Sequence, residues 1–270
     1  MRRALAEDGI RLTKSLGQNF LHDGNQLRRI VEAAELEATD KVLEIGPGLG
    51  PLTERLAARA GAVLAIEKDG RLVDWLKKKF AGREATLTLI HDDALEFLRR
   101  EPRDWNDWKL VANLPYSVAS PILVELAQSR RRPRRIVATL QSEVARRLMA
   151  GGGDDDYGLL SLLIQLDYEA QGGFVIRASC FFPEPEVDSM CVVLARRDPP
   201  WLADDRREAF GRIVRRAFSQ RRKMMFKLLK EDWPVPRLAV AAAQLGLSPQ
   251  TRAESVSLEQ FVRLTEVLMA

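Results

Sequence analysis

The sequence predicts an α/β fold, a parallel sheet covered by helices on both faces, followed by a small all-helical domain. Three observations predict it. Short apolar runs alternate with amphipathic segments of helical period over the first 150 residues. A glycine-rich turn, Gly46-Pro47-Gly48-Leu49-Gly50, follows the first clear strand pattern. After Asp198-Pro199-Pro200 only helical periods remain, which sets the expected domains at 1–199 and 200–270.

Taken in order, 25–36 is an amphipathic helix with Leu27, Ile30, Val31 and Ala34 on one face. Strands follow at 41–45, 62–67, 86–90, 109–112 and 135–140. Helices at 52–60, 71–80, 94–100, 120–128 and 143–149 separate and follow them. The run Gly151-Gly152-Gly153-Asp154-Asp155-Asp156 is a loop. Two β patterns, 169–176 and 189–195, are expected to pair antiparallel at the sheet edge. Helices are then predicted over 206–218, 223–230, 236–245 and 258–269.

The glycine turn lies where open α/β sheets bind ligands. A dinucleotide fingerprint needs glycine or alanine at position 51, but Pro51 stands there. Proline suits a first helical turn, yet the pyrophosphate pattern is broken. An adenosine ligand without pyrophosphate fits, and S-adenosyl-L-methionine is one. Glu67 ends the second of these strands, where a carboxylate accepts ribose hydroxyls. Asp93 follows the third, where it can accept the adenine amine of the same ligand.

The stretch Asn113-Leu114-Pro115-Tyr116 ends the fourth strand. It places an amide, backbone carbonyls and an aromatic ring at the mouth of the same site. If the Asn113 side-chain oxygen and the Leu114 carbonyl accept both hydrogens of an exocyclic amine, its lone pair turns toward a methyl donor. Those acceptors then bind the positive charge that grows on nitrogen in the transition state. Pro115 has no N–H to compete. Tyr116 can stack on a base freed from its neighbours. No general base is required, because a methylated ammonium loses its proton to water.

Charge is uneven. Residues 201–270 carry 13 Lys/Arg against 8 Asp/Glu, while the whole chain nets only +4. From Gly211 to Lys230 there are eight basic residues and no acid, which suits a polyphosphate backbone. The cluster Arg130-Arg131-Arg132-Pro133-Arg134-Arg135 is either a phosphate-touching loop or a soluble helix-to-strand connection. No run approaches a membrane span, and Met1–Asp8 lacks an apolar signal core, so no membrane partner or leader is expected. Cys180 and Cys191 fit no metal spacing and suit a reducing, cytoplasmic compartment. No metal site is expected.

From about Lys14 to Lys230 the chain resembles the KsgA-type adenine dimethyltransferases of small-subunit ribosomal RNA. The resemblance rests on Leu16-Gly17-Gln18-Asn19-Phe20-Leu21, Glu44-Ile45-Gly46-Pro47-Gly48-Leu49-Gly50, Asn113-Leu114-Pro115-Tyr116, Gln141-Ser142-Glu143-Val144-Ala145-Arg146-Arg147-Leu148 and Tyr157-Gly158. It continues through Phe181-Phe182-Pro183-Glu184-Pro185-Glu186-Val187-Asp188-Ser189 and Phe218-Ser219-Gln220-Arg221-Arg222-Lys223. Ser117 and Leu159 depart from the family's common asparagine and arginine.

The resemblance implies a Rossmann-like methyltransferase domain and a helical C-terminal domain. It implies that Asn19 and Leu21 close over the cofactor, with Gly46, Gly48, Glu67, Asp93 and Asn113 as further contacts. It puts Phe181 on the face of the target base opposite Tyr116, and Arg221, Arg222 and Lys223 on RNA. The partner implied is small-subunit rRNA in an immature 30S-type subunit, met by a monomer. Two other readings stay open here. One is a large-subunit rRNA methyltransferase of the macrolide-resistance type, and the other is an RNA-binding assembly factor with secondary methylation.

Overall fold

Lys41–Ile45 (β2) and Ala62–Glu67 (β3) form strands with the bounds their apolar runs predict, and they pair in parallel from Lys41 opposite Ala62 to Ile45 opposite Ile66. The computed structural model describes residues 18–101, 103–220 and 222–270; Lys14, Leu16, Gly17 and Arg221 lie outside them. Before β2 come Phe20–Leu21 (β1) and the helix Gly24–Ala33 (α1), capped by the Asp23 carboxylate, which accepts from the Asn25 and Gln26 N–H groups. Alternation then continues with Pro51–Ala57 (α2), Gly70–Lys79 (α3), Leu87–His91 (β4), Ala94–Arg100 (α4), Trp108–Asn113 (β5), Ala119–Gln128 (α5), Arg135–Gln141 (β6) and Ser142–Met149 (α6).

Past α6 lie Leu159–Gln165 (α7), Tyr168–Ile176 (β7), Phe181–Phe182 (β8) and Ser189–Arg196 (β9). The main sheet runs β4-β3-β2-β5-β6-β9-β7. Its first five strands are parallel, and β9 runs antiparallel to β6 from Arg135 opposite Ala195 to Gln141 opposite Ser189. Strand order reverses between β2 and β5, so a crevice opens beyond their carboxyl ends. Separately, β1 and β8 pair antiparallel, Phe20 opposite Phe182 and Leu21 opposite Phe181. Ile30, Val42, Leu56, Leu76, Val111 and Val137 are fully buried in one apolar cluster between sheet and helices.

The remaining helices are Arg207–Ala217 (α8), Met225–Leu229 (α9), Val235–Gln244 (α10) and Leu258–Met269 (α11). The chain forms two compact units. One holds the described residues up to Ala145 with Ala170–Arg196; the other holds Arg146–Glu169 with Arg197–Ala270. The switch between units at Arg196–Arg197 lies near the expected position 200, but 146–169, expected in the first domain, groups with the second. Within it, Tyr157 donates to the Val256 carbonyl at 2.9 Å and meets the Phe218 ring edge-on at 6.2 Å. Asp167, buried, pairs with Arg207. These contacts tie 146–169 to the C-terminal helices.

Candidate active site

The cleft lies in the first unit and is walled by the turns after β2, β3, β4 and β5 together with Gln18, Asn19 and Phe20. Gly46 and Gly48 hold φ values of +69° and +61°, which side chains rarely adopt. Packing opposes a side chain as well: a Cβ on Gly48 would sit 2.6 Å from the Phe20 ring, and one on Gly46 would press on Pro115 at 3.3 Å. The turn thus offers bare backbone to the cleft. Its carbonyls are clamped from behind, where Trp75 Nε1 and Lys79 Nζ of α3 donate to the Leu49 oxygen at 3.4 and 3.2 Å.

Glu67 ends β3 facing this turn. One carboxylate oxygen accepts from the Gly48 N–H at 3.1 Å and the other from the Asp69 N–H at 2.9 Å. Burial raises its pKa and these backbone donors oppose the rise. A carboxylate has about four acceptor positions, so acceptor capacity remains for a ligand hydroxyl.

Glu44 lies beneath, 1% exposed, with Oε2 unpartnered. Burial pushes its pKa up to about 8; the Glu67 charge adds to this, while Thr53 and Lys79 oppose it. An unfolded glutamate titrates near 4.5. Between those values the native chain keeps a proton that the unfolded chain has released, so stability falls as pH rises through the window and levels off above it. Glu44→Gln should therefore melt with a shallower pH dependence than the parent from pH 5 to 8. The gap should reach about 2–4 kcal/mol at the alkaline end. Parallel melting curves for the two proteins would overturn this.

Asp93 caps α4, where Oδ1 accepts from the Leu95 N–H at 2.9 Å and the Glu96 N–H at 3.2 Å. Its Oδ2 takes Lys68 Nζ at 2.8 Å, and that hydrogen bond first of all holds its pKa down. The Lys68 side chain is 60% exposed, so this oxygen is the one that can exchange partners at the cleft. Asp92 lines the same wall.

Asn113 closes β5. Its amide nitrogen donates to the Asn19 carbonyl at 3.1 Å, which leaves Oδ1 buried, without a partner and at the cleft wall. A buried acceptor of this kind costs stability unless a ligand satisfies it. Leu114, Pro115 and Tyr116 also line the cleft. The Leu114 N–H donates to the Thr139 carbonyl at 3.2 Å, and Tyr116 Oη lies 2.6 Å from Ser189 Oγ.

Two residues expected here are elsewhere. Leu21 and Phe181 are each 2% exposed and pack in the apolar cluster under the sheet, outside the cleft lining. They face each other across the β1–β8 pair, so both point to the same side. Their neighbours Phe20 and Phe182 point the other way and join Leu49 and Leu72. Phe20, not Leu21, reaches the cleft. Gln18, Phe20, Lys68 and Asp92 line it without having been singled out from the sequence. Gln18 and Phe20 stand in the 16–21 motif, where alternation turns Phe20 rather than Leu21 to the cleft, while Lys68 and Asp92 stand at loop ends without a motif.

Four arginines of the cluster after α5 find partners within the protein. Arg131 pairs with Asp104, Arg134 with the buried Asp40, and Arg135 with Glu35 at 2.7 Å, while Arg132 Nε donates to the Ser129 carbonyl at 2.8 Å. In the second unit Arg216 pairs with Glu231 and Asp232, just past the acid-free run, and the Arg212 guanidinium lies over the Trp233 ring. Arg222 and Lys223 are exposed.

The sequence pattern of the ribosomal RNA adenine dimethylases matches residues 9–270. The chain belongs to that family. This dimethylase is 38% identical over 269 residues to ribosomal RNA small subunit methyltransferase A of Geobacter sulfurreducens, covering 97% of each chain. It is 39% identical over 272 residues to the protein of that name from Moorella thermoacetica, covering 97% of this chain and 94% of the relative. Among solved structures, a dimethyladenosine transferase from Plasmodium falciparum superposes with a TM-score of 0.77 at 25% identity, over 91% of this chain and 95% of that one. The 23S rRNA methyltransferase ErmE gives 0.71 at 29% identity, over 93% and 100%. The dimethylase takes its methyl groups from S-adenosyl-L-methionine. The cleft fits that donor on two observations: the side-chain-free turn and the spare acceptor capacity of Glu67.

Proposed function

We propose that this dimethylase methylates N6 of adenines in small-subunit ribosomal RNA, twice on each nitrogen, on two adjacent adenines of a 3′-terminal hairpin loop. It acts as a cytoplasmic monomer on an immature 30S-type subunit. The observation that carries the chemistry is the buried, unpartnered Asn113 Oδ1 at the cleft wall. The names of the relatives at 38 and 39% identity support the choice of subunit.

The bound donor supplies a methyl carbon activated by its sulfonium. Gly46, Gly48 and Glu67 hold its adenosine end, with Asp93 toward the adenine. The Asn113 oxygen and the Leu114 carbonyl accept the two N6 hydrogens of the target. The amine lone pair is thereby turned toward the methyl carbon, and the charge growing on nitrogen meets oxygens already in place. The Asn19 carbonyl holds the amide nitrogen and so sets which way the side chain faces. Tyr116 supports the base face.

The test is nucleoside mass spectrometry of unmethylated small subunits incubated with protein and donor. N6,N6-dimethyladenosine is expected there and not in large subunits; the modified base in large subunits alone would overturn the reading. Arg222 and Lys223 of the second unit, with Arg221, form the RNA-backbone contact of this reading. Replacing Arg222 and Lys223 with glutamine should reduce the slope of log affinity against log salt by about two charges. An unchanged slope removes them from the interface.

A further inference from the structure

Tyr116 is the aromatic residue of the cleft on which the target base rests in the reading above, and the further inference depends on that reading. A stacking platform works only if its ring is held at one tilt. The backbone of Tyr116 does not ensure this: it lies in the turn between β5 and α5, next to the exposed Ser117. What reaches the ring is the hydroxyl of Ser189, 2.6 Å from Tyr116 Oη.

Ser189 is fully buried and opens β9 opposite Gln141 of β6, so its backbone sits in the antiparallel ladder. The residue before it is also fixed. The Asp188 carbonyl accepts from the Ser142 N–H at 3.1 Å and from Ser142 Oγ at 2.8 Å, and its carboxylate accepts from the Ala178 N–H at 2.8 Å. The Ser189 hydroxyl therefore projects from a rigid strand to the tip of a half-buried ring on a turn. Ser189 is not part of the cleft lining.

We propose that Ser189 is a positioning residue for base methylation: its hydroxyl locks the tilt of the Tyr116 ring, so that the target purine stacks with its amine in line with the methyl donor. The lock joins the turn after β5 to the antiparallel strand β9 added to the parallel part of the sheet.

The experiment is single-turnover transfer of tritiated methyl to unmethylated small subunits at saturating donor, for the parent, Ser189→Ala, Tyr116→Phe and the double variant. Tyr116→Phe keeps the ring and removes only its half of the bond. Each single variant should slow transfer roughly 3- to 10-fold, the effect of losing one neutral hydrogen bond. The double variant should be no slower than the worse single one. Donor affinity and subunit affinity should match the parent, and the loss of rate should not scale with any fall in melting temperature. Additive losses, a Ser189→Ala protein with the parent's rate, or a loss tracking donor affinity or melting temperature would overturn the proposal. A parent that labels no small subunit would instead overturn the functional reading.

Discussion

Asn113→Ala should bind small subunits nearly as the parent does, yet transfer methyl groups about 100-fold more slowly or worse. The size follows from where the oxygen acts. In the free protein Asn113 Oδ1 is buried and without a partner, so alanine removes an unsatisfied group, which offsets the loss of the amide N–H bond to the Asn19 carbonyl. In the transition state the same oxygen faces an amine that is becoming positive, where a preplaced acceptor is worth most. Asn113→Asp separates charge from geometry. It keeps an oxygen but loses the N–H that the Asn19 carbonyl accepts, so its acceptor is no longer held in one orientation. The readouts are single-turnover rate and equilibrium binding side by side. Equal losses in both would show that Asn113 serves binding alone.

Gly48→Ala should raise the donor dissociation constant about 10-fold or more, and destabilise the chain by about 1–3 kcal/mol. Two costs meet at this position. The backbone sits at φ +61°, where an L side chain is strained, and the new Cβ would lie 2.6 Å from the Phe20 ring. Either the turn moves, drawing its N–H from Glu67 Oε2, or Phe20 moves, which disturbs its pairing with Phe182. Both lie at the cleft, so donor binding reports either outcome. Calorimetric titration with S-adenosylmethionine together with a melting curve checks it. Parent-like affinity would mean the turn does not touch the donor.

The parallel strands were legible because each is a buried apolar run bounded by turn residues. The turn after β2 was legible because its glycines and Pro51 define what can bind there. Asn113 and Tyr116 were legible as a motif at a strand end. Phe181 was not, because a two-residue strand is too short to display a period, and only the register Leu21–Phe181 shows which ring turns inward. The helix α7 was missed for the opposite reason: Leu-Leu-Ser-Leu-Leu-Ile-Gln is apolar almost all round and carries no helical stripe. The acid-free run misled in part, since Glu231 and Asp232 stand just beyond its end and take Arg216. Pairing across distant sequence, such as Arg134 with Asp40, has no local signal at all.

The short ladder of Phe20 and Leu21 against Phe182 and Phe181, extended by the His22 N–H on the Cys180 carbonyl, fastens the front of the chain to a stretch made much later. During synthesis the edge of the cleft where Phe20 stands has no partner strand until that stretch emerges. Half-made chains therefore lack a finished seat for the methyl donor, and chemistry becomes available only once most of the polypeptide exists.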